Sequence, residues 1–169
     1  LALGPYINSG PINAETIAKA HALTAQALSS NRLSDRDRAL MAAVHARHAP
    51  GGGKDGVHGD LYADTMIALA QRWPDDDLVA ILAAEAIMTS QPWDYWEAGG
   101  KVPKARAGTA LALVAGANDA LTSAPHAVGY ALVATMLALA ADLKRQAPER
   151  LYDEMAEMAV KMRAKAPSR

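Results

Sequence analysis

Apolar residues recur along this chain three and four positions apart, and nowhere alternate with polar ones long enough to form a strand. The pattern predicts helices throughout. Asn13 can cap a first helix running to about Ser30, and Ser34 a second running to about His48. A third spans His58 to Trp73, where Pro74 stops it. Its stripe is Tyr62, Met66, Leu69 and Trp73; the second helix offers Leu40 or Met41, Val44 and His48. Asp76 or Asp77 starts a fourth with Leu78, Ile81, Leu82 and Met88 inward. A fifth runs from near Gly108 to Leu121, with Leu111, Val114 and Leu121 inward. A sixth runs from Pro125 to about Gln146, and Pro148 opens a seventh carrying Leu151, Met155, Met158 and Met162.

The connections alternate in length. Residues 31–33, 74–76 and 122–124 are short links, whereas 4–13, 49–57 and 91–106 are long. In a right-handed stack of antiparallel helices every second connection emerges on the same edge, so the three long ones should gather there. The helix starts at Ser34, Asp76 and Pro125 are 42 and 49 residues apart, and without the long loops both intervals approach the roughly 34-residue helical hairpin repeat. The expected fold is all-α: a right-handed superhelix of antiparallel hairpins, like a tetratricopeptide array, with about seven helices in one domain over residues 1–169.

Composition narrows the function classes more than it names one. Alanine supplies 39 of 169 residues and strand formers are sparse, which argues for helices throughout. The formal charge of -1 is spread without a basic stripe, which argues against nucleic acid as a partner. The chain has no cysteine, so disulfides, thiolate chemistry and cysteine zinc sites are excluded, while cytoplasm and periplasm both stay open. The longest apolar run, Ala127 to Ala141, is shorter than the roughly 18–20 residues that cross a bilayer, so no membrane span is expected.

Three of the eight aromatic residues sit together in Gln91-Pro92-Trp93-Asp94-Tyr95-Trp96, a loop that helix packing alone does not require. With Trp73-Pro74-Asp75-Asp76 and Ala84-Glu85-Ala86 before it, this loop resembles a group of bacterial tetratricopeptide-repeat proteins that share a Pro-Trp-Asp-Tyr-Trp segment. The opening Leu1 to Asn8 and the Leu33 to Leu40 helix start are similar to the same group, and the likeness covers roughly residues 1–125. It implies a scaffold that binds protein or peptide, with no defined reaction. It also implies that the group's upstream repeat is absent here, leaving the first helix with an exposed face. After Ala124-Pro125-His126 the group continues into a helix with two histidines and a glutamate on one face; this chain has Tyr130 to Leu137 there.

Several residues are candidates for a site, each with a bland reading beside the functional one. Trp93, Asp94, Tyr95 and Trp96, with Tyr6 and Asn8 on the same edge, could anchor a partner. Equally, the loop could be a structural plug, its aromatics covering gaps between alanine-rich helices and Asp94 capping amides. Glu85 lies beside an apolar stripe and is either a proton acceptor with a raised pKa or a hydrogen-bonded strut for the loop. His45, His48, His58 and Asp60 permit a metal site on paper, although histidines on an amphipathic helix commonly hold none. Gly51-Gly52-Gly53-Lys54 lacks the spacing and preceding strand of a phosphate loop and reads as a flexible connection.

The expectation is a binding scaffold without cofactor or catalytic residue, using its concave face or long-loop edge. Its partner is a protein, a peptide or a second copy of the chain, for which the unpaired first helix and the methionine-lined last helix supply apolar surface. The alternative is a metal-dependent or acid–base enzyme using His45, His48, His58 or Glu85, which requires those side chains to converge.

Overall fold

Local chemistry starts three of the helices. In the computed structural model, which describes residues 4–5, 11–53, 55–91, 93–116 and 145, the helices are α1 (Ala14–Leu28), α2 (Asp35–Arg47), α3 (Gly59–Arg72), α4 (Asp77–Ser90) and α5 (Ala105–Gly116). Asn13 Oδ1 accepts from the Thr16 amide at 2.8 Å, Ser34 Oγ from the Asp37 amide at 3.1 Å, and Asp76 Oδ1 from the Val79 amide at 3.1 Å. Each satisfies an amide that the first helical turn would otherwise leave unpaired. Helix α3 ends at Arg72, before Pro74, as proline requires. Helix α5 begins at Ala105, three residues ahead of the expected Gly108, because the Lys104 carbonyl already accepts from the Gly108 amide at 2.8 Å. Residues 117–121 and the expected sixth and seventh helices lie outside the described residues, Arg145 apart.

The described part is all-helical, and its packing runs between sequence neighbours: α1 on α2, α2 on α3, α3 on α4, α4 on α5. The core is built from small side chains around a few large ones, with Ala63, Met66, Val79, Ala83, Ala84, Ile87, Ala107 and Ala110 fully enclosed. Alanine lets helix axes approach and leaves the larger residues to fill what remains. The inward face of α4 differs from the expected one. Leu78, Ile81 and Leu82 are only partly buried at its flanks, while Val79, Ala83, Ala84, Ala86 and Ile87 are enclosed along with Met88. Helix α4 is apolar on nearly every side, so periodicity cannot select a face, and its alanines carry contacts assigned by size to leucines.

Alternation of helix direction brings the connections before α1, α3 and α5 to one end of the stack. There the 49–57 connection lies against the start of α1: a Cβ on Gly56, whose φ is +79°, would stand 2.6 Å from Ile17 Cδ1. Only glycine combines that backbone with that approach. Arg106, at the start of α5, reaches Asp60 at 3.0 Å and Asp64 at 2.8 Å on α3. The glycine connection is a hydrogen-bonded turn, with Gly53 N–H donating to Val57 O at 3.0 Å and Gly56 N–H to Gly53 O at 2.9 Å. Those amides are spent within the turn and are not turned outward as a phosphate cradle. Among the described residues no helix is long and apolar enough to cross a membrane.

Candidate functional site

The aromatic loop folds back on the end of α4. Tyr95 is completely enclosed, and its hydroxyl donates to the Met88 carbonyl at 3.1 Å. Around it the backbone makes a short hairpin: Trp96 and Pro103 form an isolated bridge, Glu97 N–H donates to Val102 O at 2.8 Å, and Lys104 N–H to Tyr95 O at 2.9 Å. Asp94 does not serve as a bare carboxylate, because Lys104 Nζ stands 2.6 Å from both its oxygens. Trp93 sits at φ 66°, a backbone region that side chains other than glycine seldom occupy. Trp93 and Trp96 are half-buried and pack on the core. Tyr95 is therefore the plug of this loop, while Trp93 and Trp96 stay partly accessible beside the half-exposed Asp94 side chain and the exposed Val102. Tyr6 and Asn8 lie outside the described residues.

At the same end a polar cluster is buried between α2, α3 and α4. Arg47 and His48, at the end of α2, are each 1% exposed. The Arg47 guanidinium lies 4.4 Å above the centre of the Tyr62 ring, and its Nη2 donates to the Pro5 carbonyl at 2.9 Å. His48 places Nδ1 2.8 Å from Val44 O and Nε2 3.0 Å from Gly4 O, so either neutral tautomer donates to one carbonyl and the protonated ring to both. Tyr62 Oη and Arg47 Nε are buried and have no hydrogen-bond partner among the described residues. Burial pushes the Tyr62 phenol up to about 12, partly offset by Arg47.

Glu85 borders this cluster. Desolvation raises its pKa above the ordinary carboxylate value, against the opposing pull of its bond from Thr89 Oγ1 at 2.8 Å and the charge of Arg47. Its hydrogen bond is thus to its own helix one turn on, while Tyr95 and Lys104 tie down the loop. The three histidines do not converge. His45 stacks on His21 with ring centres 3.9 Å apart, His48 faces Gly4, and His58 Nε2 lies 3.3 Å from the Pro50 carbonyl in an exposed position. No group of three or more metal-ligating side chains occurs among the described residues.

The opposite, short-loop end carries a surface that the sequence did not single out. Arg36, Arg72, Trp73 and residues 74–78 line an open depression of about 560 Å³. Arg36 pairs with Asp76 through Nε and through Nη2 at 3.0 Å, and that pairing holds the Asp76 carboxyl below its ordinary range. The Arg72 guanidinium stacks 4.5 Å over the Trp73 ring. Of the buried cluster, His48 and Tyr62 stood on the inward stripes read from the sequence and only Arg47 was missed; its one signal is that it follows the enclosed Ala43 by one helical turn. Comparison with protein-family models, with curated proteins and with solved structures finds no match to this chain.

Proposed function

We propose that this chain is a tetratricopeptide-like scaffold, a right-handed superhelix of hairpins with about seven helices, that binds an extended protein or peptide segment at its long-loop edge. Neighbour-to-neighbour packing and the alternating connections support the architecture, together with the residues that resemble the tetratricopeptide group. One observation carries the binding reading. Buried side chains of α2 already hold a piece of polypeptide by its carbonyls, Arg47 to Pro5 at 2.9 Å and His48 to Gly4 at 3.0 Å. The half-buried rings of Trp93 and Trp96 lie on the loop at that end and offer apolar surface to whatever follows such a segment.

The test is selection from a displayed peptide library, followed by tryptophan emission in a Trp73→Phe background, so that Trp93 and Trp96 alone report. The expected outcome is a convergent peptide motif whose binding changes that emission and is weakened by Trp96→Ala. Failure of the library to converge, or binding that leaves the emission untouched, would defeat the reading. Acid–base chemistry at Glu85 is the second reading, favoured only by its raised pKa. It requires a reaction rate that falls on Glu85→Gln in a variant that remains folded.

A further inference from the structure

Helix α1 is attached to the stack differently from the other helices. Among the described residues the apolar core runs from Ala43 to Val114 and includes no side chain of α1. The residues that α1 buries are Ala20 and Thr24, and polar contacts hold it to α2. The rings of His21 and His45 lie face to face, 3.9 Å between centres and 14° from parallel. Their backbone contacts are reciprocal: His21 Nδ1 stands 3.2 Å from the His45 carbonyl, and His45 Nδ1 stands 3.2 Å from the His21 carbonyl. Thr24 Oγ1 lies 2.9 Å from His45 Nδ1 and donates its hydrogen to the carbonyl of Ala20 or His21, each at 2.9 Å. Carbonyls only accept, and the Thr24 hydroxyl has spent its hydrogen, so each neutral ring carries its hydrogen on Nδ1. A further proton on either ring goes to Nε2.

We infer that the His21–His45 stack is a proton-operated latch: with both rings charged, α1 swings off α2 while α2 to α5 stay packed. The inference goes beyond the binding reading and does not depend on it. Two imidazolium rings face to face at 3.9 Å repel, more so in a half-buried place. The charged groups of the surrounding elements leave that repulsion unanswered. On α1, Lys19 stands two residues before His21 and so points away from it, and Glu15 lies more than a turn further back. On α2, Arg47 faces Tyr62, His48 faces Gly4, and Arg38 donates to the carbonyls of Leu28 and Ser30 at 2.9 and 2.6 Å. The 49–57 connection, which meets α1 at Ile17, has Lys54 and Asp55 as its charged residues, and His58 beyond it faces Pro50. No ion pair joins a carboxylate to either ring among the described residues. Opening separates the rings and lets both hold a proton, so the open form binds more protons than the closed one. It therefore gains as pH falls through the ordinary histidine value of about 6.5. The Arg38 clamp sits beside the short link to α2, which makes that end of α1 the hinge.

The chain has no cysteine, so a labelled pair can be introduced without competition. Leu23→Cys, at a position 51% exposed on α1, and Ala42→Cys, exposed on α2, take spin labels in the full chain. Double electron–electron resonance then reads the α1–α2 distance at about pH 7.5 and about pH 5, on either side of the ordinary histidine value. One short distance is expected at the higher pH, and at the lower pH a longer one whose fraction rises about fivefold or more, with helix content retained. His45→Gln keeps a neutral donor toward Thr24, and His21→Phe keeps a flat ring. Each removes one of the two charges and should stay closed at both pH values. A wild type that stays closed in acid overturns the inference, and so does helix content lost together with the opening, which would be acid unfolding of the whole chain. Opening that persists in a variant closed at neutral pH overturns it too, because another group would then be titrating. If both variants are already open at neutral pH, attachment rests on the ring contacts and not on their charge, and the latch falls.

Discussion

An arginine lies over an aromatic ring at each end of the helical stack, at 4.4 Å for Arg47 on Tyr62 and 4.5 Å for Arg72 on Trp73. The two contacts match in geometry and differ in surroundings. Arg47 and Tyr62 are each 1% exposed, with Glu85 beside them, whereas Arg72 is exposed at the rim of an open depression. Water competes for the second guanidinium and scarcely reaches the first. A cation–π contact contributes roughly 0.5–1 kcal/mol at an exposed site and about 2 or more when desolvated, so the same pair of residue types should matter for folding at one end and hardly at the other. The contrast extends to the carboxylates. Asp76 is held ionised by Arg36, while Glu85 is driven toward its neutral form by burial.

The sharpest way to break this comparison is to remove the buried arginine. Arg47→Met should cost about 2–4 kcal/mol in urea denaturation, because it removes the enclosed cation–π contact with Tyr62 and leaves the Pro5 carbonyl without its donor in a desolvated place. A cost below about 1 kcal/mol would mean that the enclosure has little energetic consequence. Tyr95→Phe keeps the ring that plugs the loop and orphans the Met88 carbonyl, and should cost about 1–2 kcal/mol by the same measurement.

The carboxylates sharpen the comparison through pH, since their signs are opposite. Asp76→Ala should cost about 1 kcal/mol at neutral pH through the lost cap. A carboxyl depressed in the folded state stabilises above its ordinary value of 3.8, and this contribution disappears as pH falls through its folded value. The Asp76→Ala penalty should therefore shrink in acid. Glu85, raised in the folded state, contributes stability that is fully present below 4.5 and is lost as pH rises through its folded value. Glu85→Gln should consequently gain on the wild type as pH climbs through that window, and denaturation over a pH series would detect a flat difference if the carboxyl were not desolvated. Arg72→Ala should be the mildest change, within about 0.5 kcal/mol of wild type.

How much of this could be read beforehand follows from how local the cause is. The starts of α1, α2 and α4 were legible because Asn13, Ser34 and Asp76 each bond an amide three residues on, so the signal and the structure occupy the same four residues. The start of α5 was misplaced by three residues because what sets it is the Tyr95 to Lys104 pairing across a hairpin, which no cap announces. The site was less legible still. The loop of Trp93 to Trp96 stood out by composition, yet the enclosure of Tyr95 beside two half-exposed tryptophans depends on how the hairpin folds over α4. The partner that Lys104 supplies to Asp94 comes from ten residues away. Arg47 passed unnoticed because an arginine at a helix end is ordinarily solvated, and its burial needs Tyr62 from α3 and Pro5 from the preceding segment.

The sequence by itself determined that the described part is helical, where three of its helices begin, and that the 49–57 and 91–106 connections are long. These follow from spacing and capping, which act within a turn or two of chain. The tertiary structure decided which polar groups are enclosed, that Glu85 and Asp76 shift in opposite directions, and that Gly4–Pro5 is seated among donors from α2. Those outcomes are set by removal of water, and a residue loses its water only when segments distant in sequence close over it.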